Sequence, residues 1–250
     1  MNVLIAGDIH GDYHHILRLL EVARNHDCNI ILALGDFGYF PNRKWSIEFL
    51  TLTNNACQKS GMNIYWLDGN HENHADIFQM TQGANDQSFL TVMNETILSN
   101  LHYLPRGYVF DIDDVSFMSY GGAYSIDRSM RVKNISWFPE EMIDIEHLRS
   151  LPDQHVDILL THDVPYGFDF GYDETLQESI TSTEIRLHLW ELVQKTTPYM
   201  CFGGHHHIRR FYPVEHAKGV THCHIISANL FGADSWTVLE LEKFKQMFIK

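Results

Sequence analysis

The sequence predicts an α/β fold built on a parallel sheet, and three features carry that prediction. Short apolar runs alternate with segments of helical periodicity along the first third of the chain. The runs are apolar throughout rather than at every second residue, as strands covered on both faces are. Polar, glycine-containing clusters follow the runs, at the strand ends where open α/β sheets bind ligands.

Val3 to Ala6 is the first strand, closed by Gly7, and Tyr13, Ile16, Leu17, Leu20 and Ala23 then fall on one helical face. The unit recurs with a strand over Asn29 to Leu34 and a helix marked by Trp45, Phe49, Leu52 and Ala56, and Asn63 to Leu67 supplies a third strand. Gln82 to Asn100 is polar and weakly periodic, which predicts a loop or a short helical insertion. Tyr108 to Phe110 and Val115 to Tyr120, parted by the acidic turn Asp111 to Asp114, predict a β-hairpin. Glu140 to Ser150 reads as helix, Val156 to Thr161 as a buried strand, and Thr181 with Glu184 as a capping box opening a helix through Ile185, Leu189 and Leu192. Tyr199 to Phe202 leads into Gly203-Gly204 and three histidines, and Val220 to Ile226 and Ser235 to Leu241 read as closing strands. With no repeat, linker or low-complexity stretch, residues 1–250 are expected to form a single domain.

A chain of 250 residues with 44% hydrophobic content can build one sizeable core. No run approaches the roughly 18 apolar residues that span a bilayer, and the opening MNVLIAGD enters a strand without a basic leader, so a soluble, unprocessed protein is expected. Cys28, Cys57, Cys201 and Cys223 are scattered, form no CxxC pair, and read as reduced thiols in a cytoplasm. The formal charge of -14 argues against extended nucleic-acid or anionic-membrane contact, which needs Lys and Arg to replace counterions. Histidine is the outlier, with 17 copies where average usage gives about 5 or 6.

The polar clusters are GDIHG at Gly7 to Gly11, GD at Gly35-Asp36, GNHE at Gly69 to Glu72, TH at Thr161-His162 and GHHH at Gly204 to His207. Carboxylate, imidazole and amide oxygen form a mixed donor set that suits Mn, Fe, Co, Ni or Zn better than Ca, which prefers oxygen alone. Glycine directly precedes the candidate ligand in four of the five loops, which fits tight turns bringing backbone close to an ion or phosphate. Singly, each histidine reads as a surface or hydrogen-bonded residue, and the ordered set is what points to metal. His206, lying between two candidate ligands, is read as a surface or packing residue, as are His14, His15, His26, His74, His188, His216, His222 and His224.

The ordered string, Asp8 to His207, resembles the calcineurin-like metallophosphoesterase superfamily, whose signature is D-x-H, GD, GNH[DE], H and GHxH. That resemblance implies two packed mixed β-sheets flanked by helices, and a phosphoester hydrolase with two divalent metal ions. Residue by residue it implies that Asp8, His10, Asp36 and His207 hold one ion and Asp36, Asn70, His162 and His205 the other, with Asp36 as the bridge and His71 as general acid or transition-state stabiliser. GDIHG and GNHE look like the Ser/Thr phosphatase branch, which also has an Asp-Arg-Gly after its second motif. Here the sequence is GDFGYF, so Tyr39 stands where an aspartate would hold the catalytic histidine, and Glu72 or a backbone carbonyl is the expected substitute. The block GGAYSIDRSMR, Gly121 to Arg131, with SWFPEE after it, is similar to a group of phage and bacterial phosphodiesterases and tips the expectation toward diesters.

Two cations about 3.5 to 4 Å apart lower the pKa of a bridging water toward ~7 and clamp the attacking and leaving oxygens. With Asp8, Asp36 and a bridging hydroxide counted against them, a small positive focus remains inside an acidic chain. Arg128 and Arg131 are candidates to grip non-bridging oxygens, or else solvated loop charges. Phe37, Tyr39, Phe40 and Trp45 either stack on a base or aryl group or pack the loop. The expected activity is hydrolysis of small phosphodiesters, cyclic nucleotides included, by attack of a metal-bridging hydroxide, with Mn the first choice of metal. A Ser/Thr-type protein phosphatase and a dinucleoside polyphosphate hydrolase are the rivals inside the superfamily, both weakened by Tyr39. A non-catalytic interaction scaffold is the reading from another class, and the presence of all seven ligand types with His71 counts against it.

Overall fold

Strands with apolar side chains on both faces need a layer on each side, and the chain supplies both. The computed structural model describes residues 1–40, 42–77, 90–93, 96–171 and 180–249. In the first sheet β1 (Asn2–Ala6), β2 (Cys28–Ala33), β3 (Asn63–Trp66) and β5 (Thr96–Tyr103) run parallel, and antiparallel β12 (Trp236–Glu240) and β4 (Leu90–Met93) close its edges in the order β12-β1-β2-β3-β5-β4. The second sheet repeats the plan with β7 (Val115–Tyr120), β8 (Ile158–Thr161), β9 (Met200–Gly203) and β11 (Gly219–Ile225) parallel, and β6 (Tyr108–Ile112) and β10 (Arg210–His216) antiparallel at its edges.

Val3, Ile5 and Leu32 of the first sheet meet Phe117, Ile158, Leu160 and Phe202 of the second in a core between the sheets. The alternate residues Leu4, Ala6, Ile31 and Ile64 pack outward under α1 (Tyr13–Asn25) and α2 (Lys44–Ser60). Met118, Leu159 and Cys201 do the same under α3 (Ile145–Ser150) and α4 (Ile180–Thr196). A short α5 (Leu241–Phe248) inserts Phe244 into the inter-sheet core. Each such side chain contributes about 1.5–3 kcal/mol of transfer free energy, and this double burial is why the strands read as unbroken apolar runs.

The expected two mixed sheets flanked by helices are therefore found, with the parallel strands read from periodicity at their centres and antiparallel strands at the edges of both among the described residues. The expected hairpin is present as β6 and β7, turned by Asp113 and Asp114 at φ 52° and 60°, the left-handed pair of a two-residue turn. The loop or helix expected over Gln82 to Asn100 lies partly outside the described residues, and its described part is strand. Polar Asn100 belongs there because its amide donates to the Met62 carbonyl while Leu98 and Leu101 fill the core. The register of β4 on β5 also shifts, which breaks the alternation. Of the helix expected over Glu140 to Ser150, only α3 is α-helical, because the Asp144 side chain accepts from the Glu146 and His147 amides and starts a new helix there. Thr181 and Glu184 lie inside α4 rather than capping it. β10 was not foreseen; it carries Pro213, tolerable on an edge strand.

Candidate metal centre

The loops that leave β1, β2, β3, β8 and β9 at their C-terminal ends converge on one edge of the molecule. Asp8 and His10 come from the first, Asp36 from the second, Asn70 and His71 from the third, His162 from the fourth, and His205 and His207 from the fifth. Two glycines explain how the loops come so close. A Cβ on Gly35 would collide with the His162 ring and the Gly69 backbone, and one on Gly69 would collide with Asp36.

Two groups of donors result. In the first, His207 Nε2 lies 3.0 Å from Asp8 Oδ2 and 3.2 Å from His10 Nε2. In the second, His162 Nε2 lies 3.4 Å from Asp36 Oδ1 and 3.1 Å from Asn70 Oδ1. Asp36 faces both groups, since its Oδ2 is 3.9 Å from His10 Nδ1. The His205 ring lies beside His162, with centroids 5.1 Å apart, and its donor atoms also cluster with those of Asp163 and His206.

The donor set fits divalent cations on two counts. Asp8 Oδ2 is buried and accepts no well-formed hydrogen bond, although His207 Nε2 is near it, an expensive state for a carboxylate oxygen unless a cation faces it. His162 Nδ1 donates to the Leu34 carbonyl at 2.7 Å, so the Nε2 lone pair points at the oxygens of Asp36 and Asn70. Three acceptors then aim at one point. The protein can relieve this with a proton or with a metal ion, and the proton's hold is plain: burial pulls the His162 pKa down, yet Asp36 and Asp8 outweigh it and raise it to about 9.

The remaining charges follow the same logic. Burial raises the carboxyls of Asp8 and Asp36, but His207 with His162 at the first, and His162 with His71 at the second, bring both below the ordinary carboxylate range. Burial drives His205 down to about 4, leaving a neutral imidazole with a lone pair to offer. The His207 pKa is raised, chiefly by the Asp8 carboxylate beside it.

His71 sits at the rim, its side chain 43% exposed and its Nε2 4.0 Å from Asp36 Oδ2. Its backbone amide donates to Asp36 Oδ1 at 2.8 Å. Burial and the Arg131 guanidinium, whose Nη2 is 2.9 Å from His71 Nε2, depress its pKa against the pull of Asp36. Glu72 does not orient His71 as expected. Its carboxylate is buried and accepts instead from the Gly38 amide at 3.1 Å and the Gly69 amide at 2.6 Å. Tyr39 is also turned away, packed on Trp66 with ring centroids 5.2 Å apart.

The two candidate arginines part company. Arg131 is clamped by Asp127 at 2.8 Å and laid against His71, whereas the Arg128 guanidinium stacks 4.9 Å above the Tyr124 ring. Of the four aromatics, Phe37 and Tyr39 are core, stacked and tilted on Trp66, while Trp45 stays half exposed against Gly11. Four residues that shape the site were not foreseen: Ser125, Asp127, Glu141 and Asp163. The first two lie in the GGAYSIDRSMR block, which was the available signal. Asp163 follows His162 directly and accepts from His206 Nε2 at 2.8 Å.

Comparison with known proteins agrees with this geometry. The calcineurin-like phosphoesterase family profile matches residues 1–209. A serine/threonine-protein phosphatase PP2A-like PPG1 of Candida albicans is 24% identical over 185 residues, 68% of this chain and 42% of that protein, so the match spans less than half of the curated relative. Among solved structures, a dimetal phosphatase from Danio rerio superposes with a TM-score of 0.55 at 9% identity, covering 95% of this chain and 91% of the other. The TT1561 protein of Thermus thermophilus gives 0.53 at 10% identity, covering 96% and 98%. At such identities the two structures show a shared fold alone. The profile match decides the family: this chain belongs to the calcineurin-like phosphoesterases.

Proposed function

We propose that the chain is a phosphodiesterase for small diesters, cyclic nucleotides among them, with Asp8, His10, Asp36 and His207 holding one divalent ion and Asp36, Asn70, His162 and His205 the other. Manganese is the metal we assign first, since the donor set mixes imidazole with oxygen. When bound, such a pair supplies a nucleophile near neutral pH and draws charge from the phosphoryl oxygens. The chain's own residues do the rest. Arg131, held by Asp127, grips a non-bridging oxygen, and His71 passes a proton to the leaving oxygen.

The observation that carries the diester reading is the count of guanidiniums at the site among the described residues. Arg131 lies against His71, while Arg128 stacks on Tyr124 and Arg106 is spent on Asp68. One such cation matches a singly charged diester better than a doubly charged monoester. Trp45, Ile126, Met130 and Leu230 are half exposed or more on segments adjoining the site, which leaves apolar surface for a second ester substituent. Four free, buried thiols favour a reducing compartment, the cytoplasm, and the core shared by both sheets favours a single domain.

A Ser/Thr-type protein phosphatase is the second reading, favoured by the likeness to the Candida protein. Against it, Tyr39 has its hydroxyl buried, with burial raising its pKa to about 12, and offers His71 no carboxylate. The test is a panel of aryl monoester and diester, 2′,3′- and 3′,5′-cyclic nucleotides, linear diesters and phosphopeptides, assayed with and without Mn. The diester reading expects kcat/KM for diesters at least tenfold above that for matched monoesters. The reverse order refutes it, and inertness with every metal returns the scaffold reading.

A further inference from the structure

A primary amide is nearly symmetric in shape but not in chemistry, having one acceptor end and one donor end that exchange on a half-turn of its last torsion. An asparagine that ligates a cation therefore needs something to choose its face. Asn70 is buried, with Oδ1 toward His162 and Nδ2 donating to Ser125 Oγ at 3.0 Å. Ser125 is itself fixed in polarity. Its backbone amide donates to Glu141 Oε1 at 2.8 Å and its hydroxyl donates to Glu141 Oε2 at 2.8 Å.

We infer that Ser125 and Glu141 are a buried positioning pair that fixes the Asn70 amide with its oxygen toward the cation. The hydroxyl proton is committed to Glu141, so toward Asn70 the oxygen can only accept. Turning the amide over would set two acceptors face to face, in a place closed to water, with both Ser125 and Glu141 fully buried. Arg131 Nη1 approaches the same oxygen at 3.5 Å, which adds a second donor demanding its lone pairs. The arrangement reaches across the fold, since Ser125 lies in the loop after β7 and Glu141 in the 3-10 turn Pro139–Glu141.

The inference rests on Asn70 being a ligand, as proposed above, and the test separates the two. Mn affinity and stoichiometry are measured by calorimetry and elemental analysis on folded N70A, S125A, S125T and E141Q, with circular dichroism as the folding control. Loss of a hydrogen-bonding partner behind a ligand typically costs 10- to 100-fold in metal affinity. S125A is expected to lose that factor at one of the two ions, and S125T to recover most of it. E141Q is expected to lose as much, because its new amide donates to Ser125 Oγ and frees the hydroxyl proton to point at Asn70. Affinities within threefold of the parent in S125A and E141Q, with an ion lost in N70A, overturn the positioning pair and leave the ligand assignment standing. Two ions retained in N70A overturn the ligand assignment and the inference with it. Should S125A fail to fold, the side-chain amide protons of Asn70 in the parent, assigned by difference with N70D, decide the matter. Slow solvent exchange is expected for a buried hydrogen-bonded amide, and fast exchange overturns the inference.

Discussion

Replacing His71 by alanine tests the proposed proton transfer apart from the proposed metal binding, because the imidazole it removes is distinct from the backbone amide that holds Asp36. The backbone amide of residue 71 holds Asp36 Oδ1 at 2.8 Å and survives the change. The imidazole is nearly half exposed, and its loss leaves Arg131 clamped by Asp127, so folding should change by no more than about 0.5 kcal/mol. Protonation of a leaving alkoxide contributes about 10²- to 10⁴-fold, which at 1.36 kcal/mol per decade raises the barrier by about 3–5 kcal/mol. The variant should keep both ions by elemental analysis while losing that factor in kcat. The decisive comparison uses two diesters. An aryl leaving group departs as a stable anion and needs little help, so H71A should lose at least tenfold more rate on an alkyl diester than on an aryl one. Equal losses on the two would show that His71 acts on charge or position rather than as an acid, and unchanged turnover would remove it from the mechanism.

Three further outcomes follow from the same geometry. Arg131→Ala should lower kcat/KM for diesters about 10- to 100-fold, with Arg131→Lys recovering little because an ammonium cannot replace the planar fork; Arg128→Ala, stacked on Tyr124, should stay within twofold, and equal losses in the two would erase the distinction drawn here. Chelation should lower the Tm as well as abolish activity, and Mn at 100 times its Kd should restore about 2.7 kcal/mol of stability; a Tm indifferent to Mn would mean that the two donor groups do not hold it. His15, 2% exposed, has its pKa driven to about 4 by burial, with Arg18 acting in the same direction and Asp12 against it. The unfolded chain therefore binds a proton below about pH 6.5 that the folded one refuses, and stability should fall on the order of 3 kcal/mol from this residue as the pH drops from about 6.5 to 4. Urea titrations across that window should show a shallower slope in His15→Gln, and superimposable slopes would refute the assignment.

What could be read from the chain, and what could not, divides along the range of the interactions. β1, β2 and β8 announce themselves because double burial makes nearly all of their residues apolar. The ligand loops are legible because strand ends, glycine and donor residues coincide within a few positions, and Gly35 and Gly69 turn out to be small for the sake of the neighbouring loop. Strand β5 hid its identity because Asn100 satisfies its polarity through partners some 38 positions away in the chain. The difference between Arg128 and Arg131 is a matter of which side of one short turn each leaves, and no periodicity records that. Ser125 and Glu141 are 16 residues apart and acquire meaning only once the hydroxyl is seen to face Asn70. Local pattern thus locates the donors, and tertiary contacts decide which of their atoms face inward.

Glu72 shows why that division matters for catalysis. Its neighbour in sequence is the candidate acid, yet its two oxygens reach the amides of Gly38 and Gly69 and so tie the loop after β2 to the loop after β3. The other loops are tied in the same manner: His162 to the Leu34 carbonyl, the His205 amide to Asp8 Oδ1, the His71 amide to Asp36 Oδ1. These ties oppose a real cost. His10, Asp36, His205 and His207 all lie at positive φ, 52°, 45°, 65° and 52°, a conformation that costs a non-glycine residue on the order of 1 kcal/mol and persists only where surroundings impose it. A chain free to relax would turn these four side chains elsewhere, and the cross-ties withhold that freedom. The donors are consequently held in place by the fold itself, so a cation arriving at the site has little ordering left to impose.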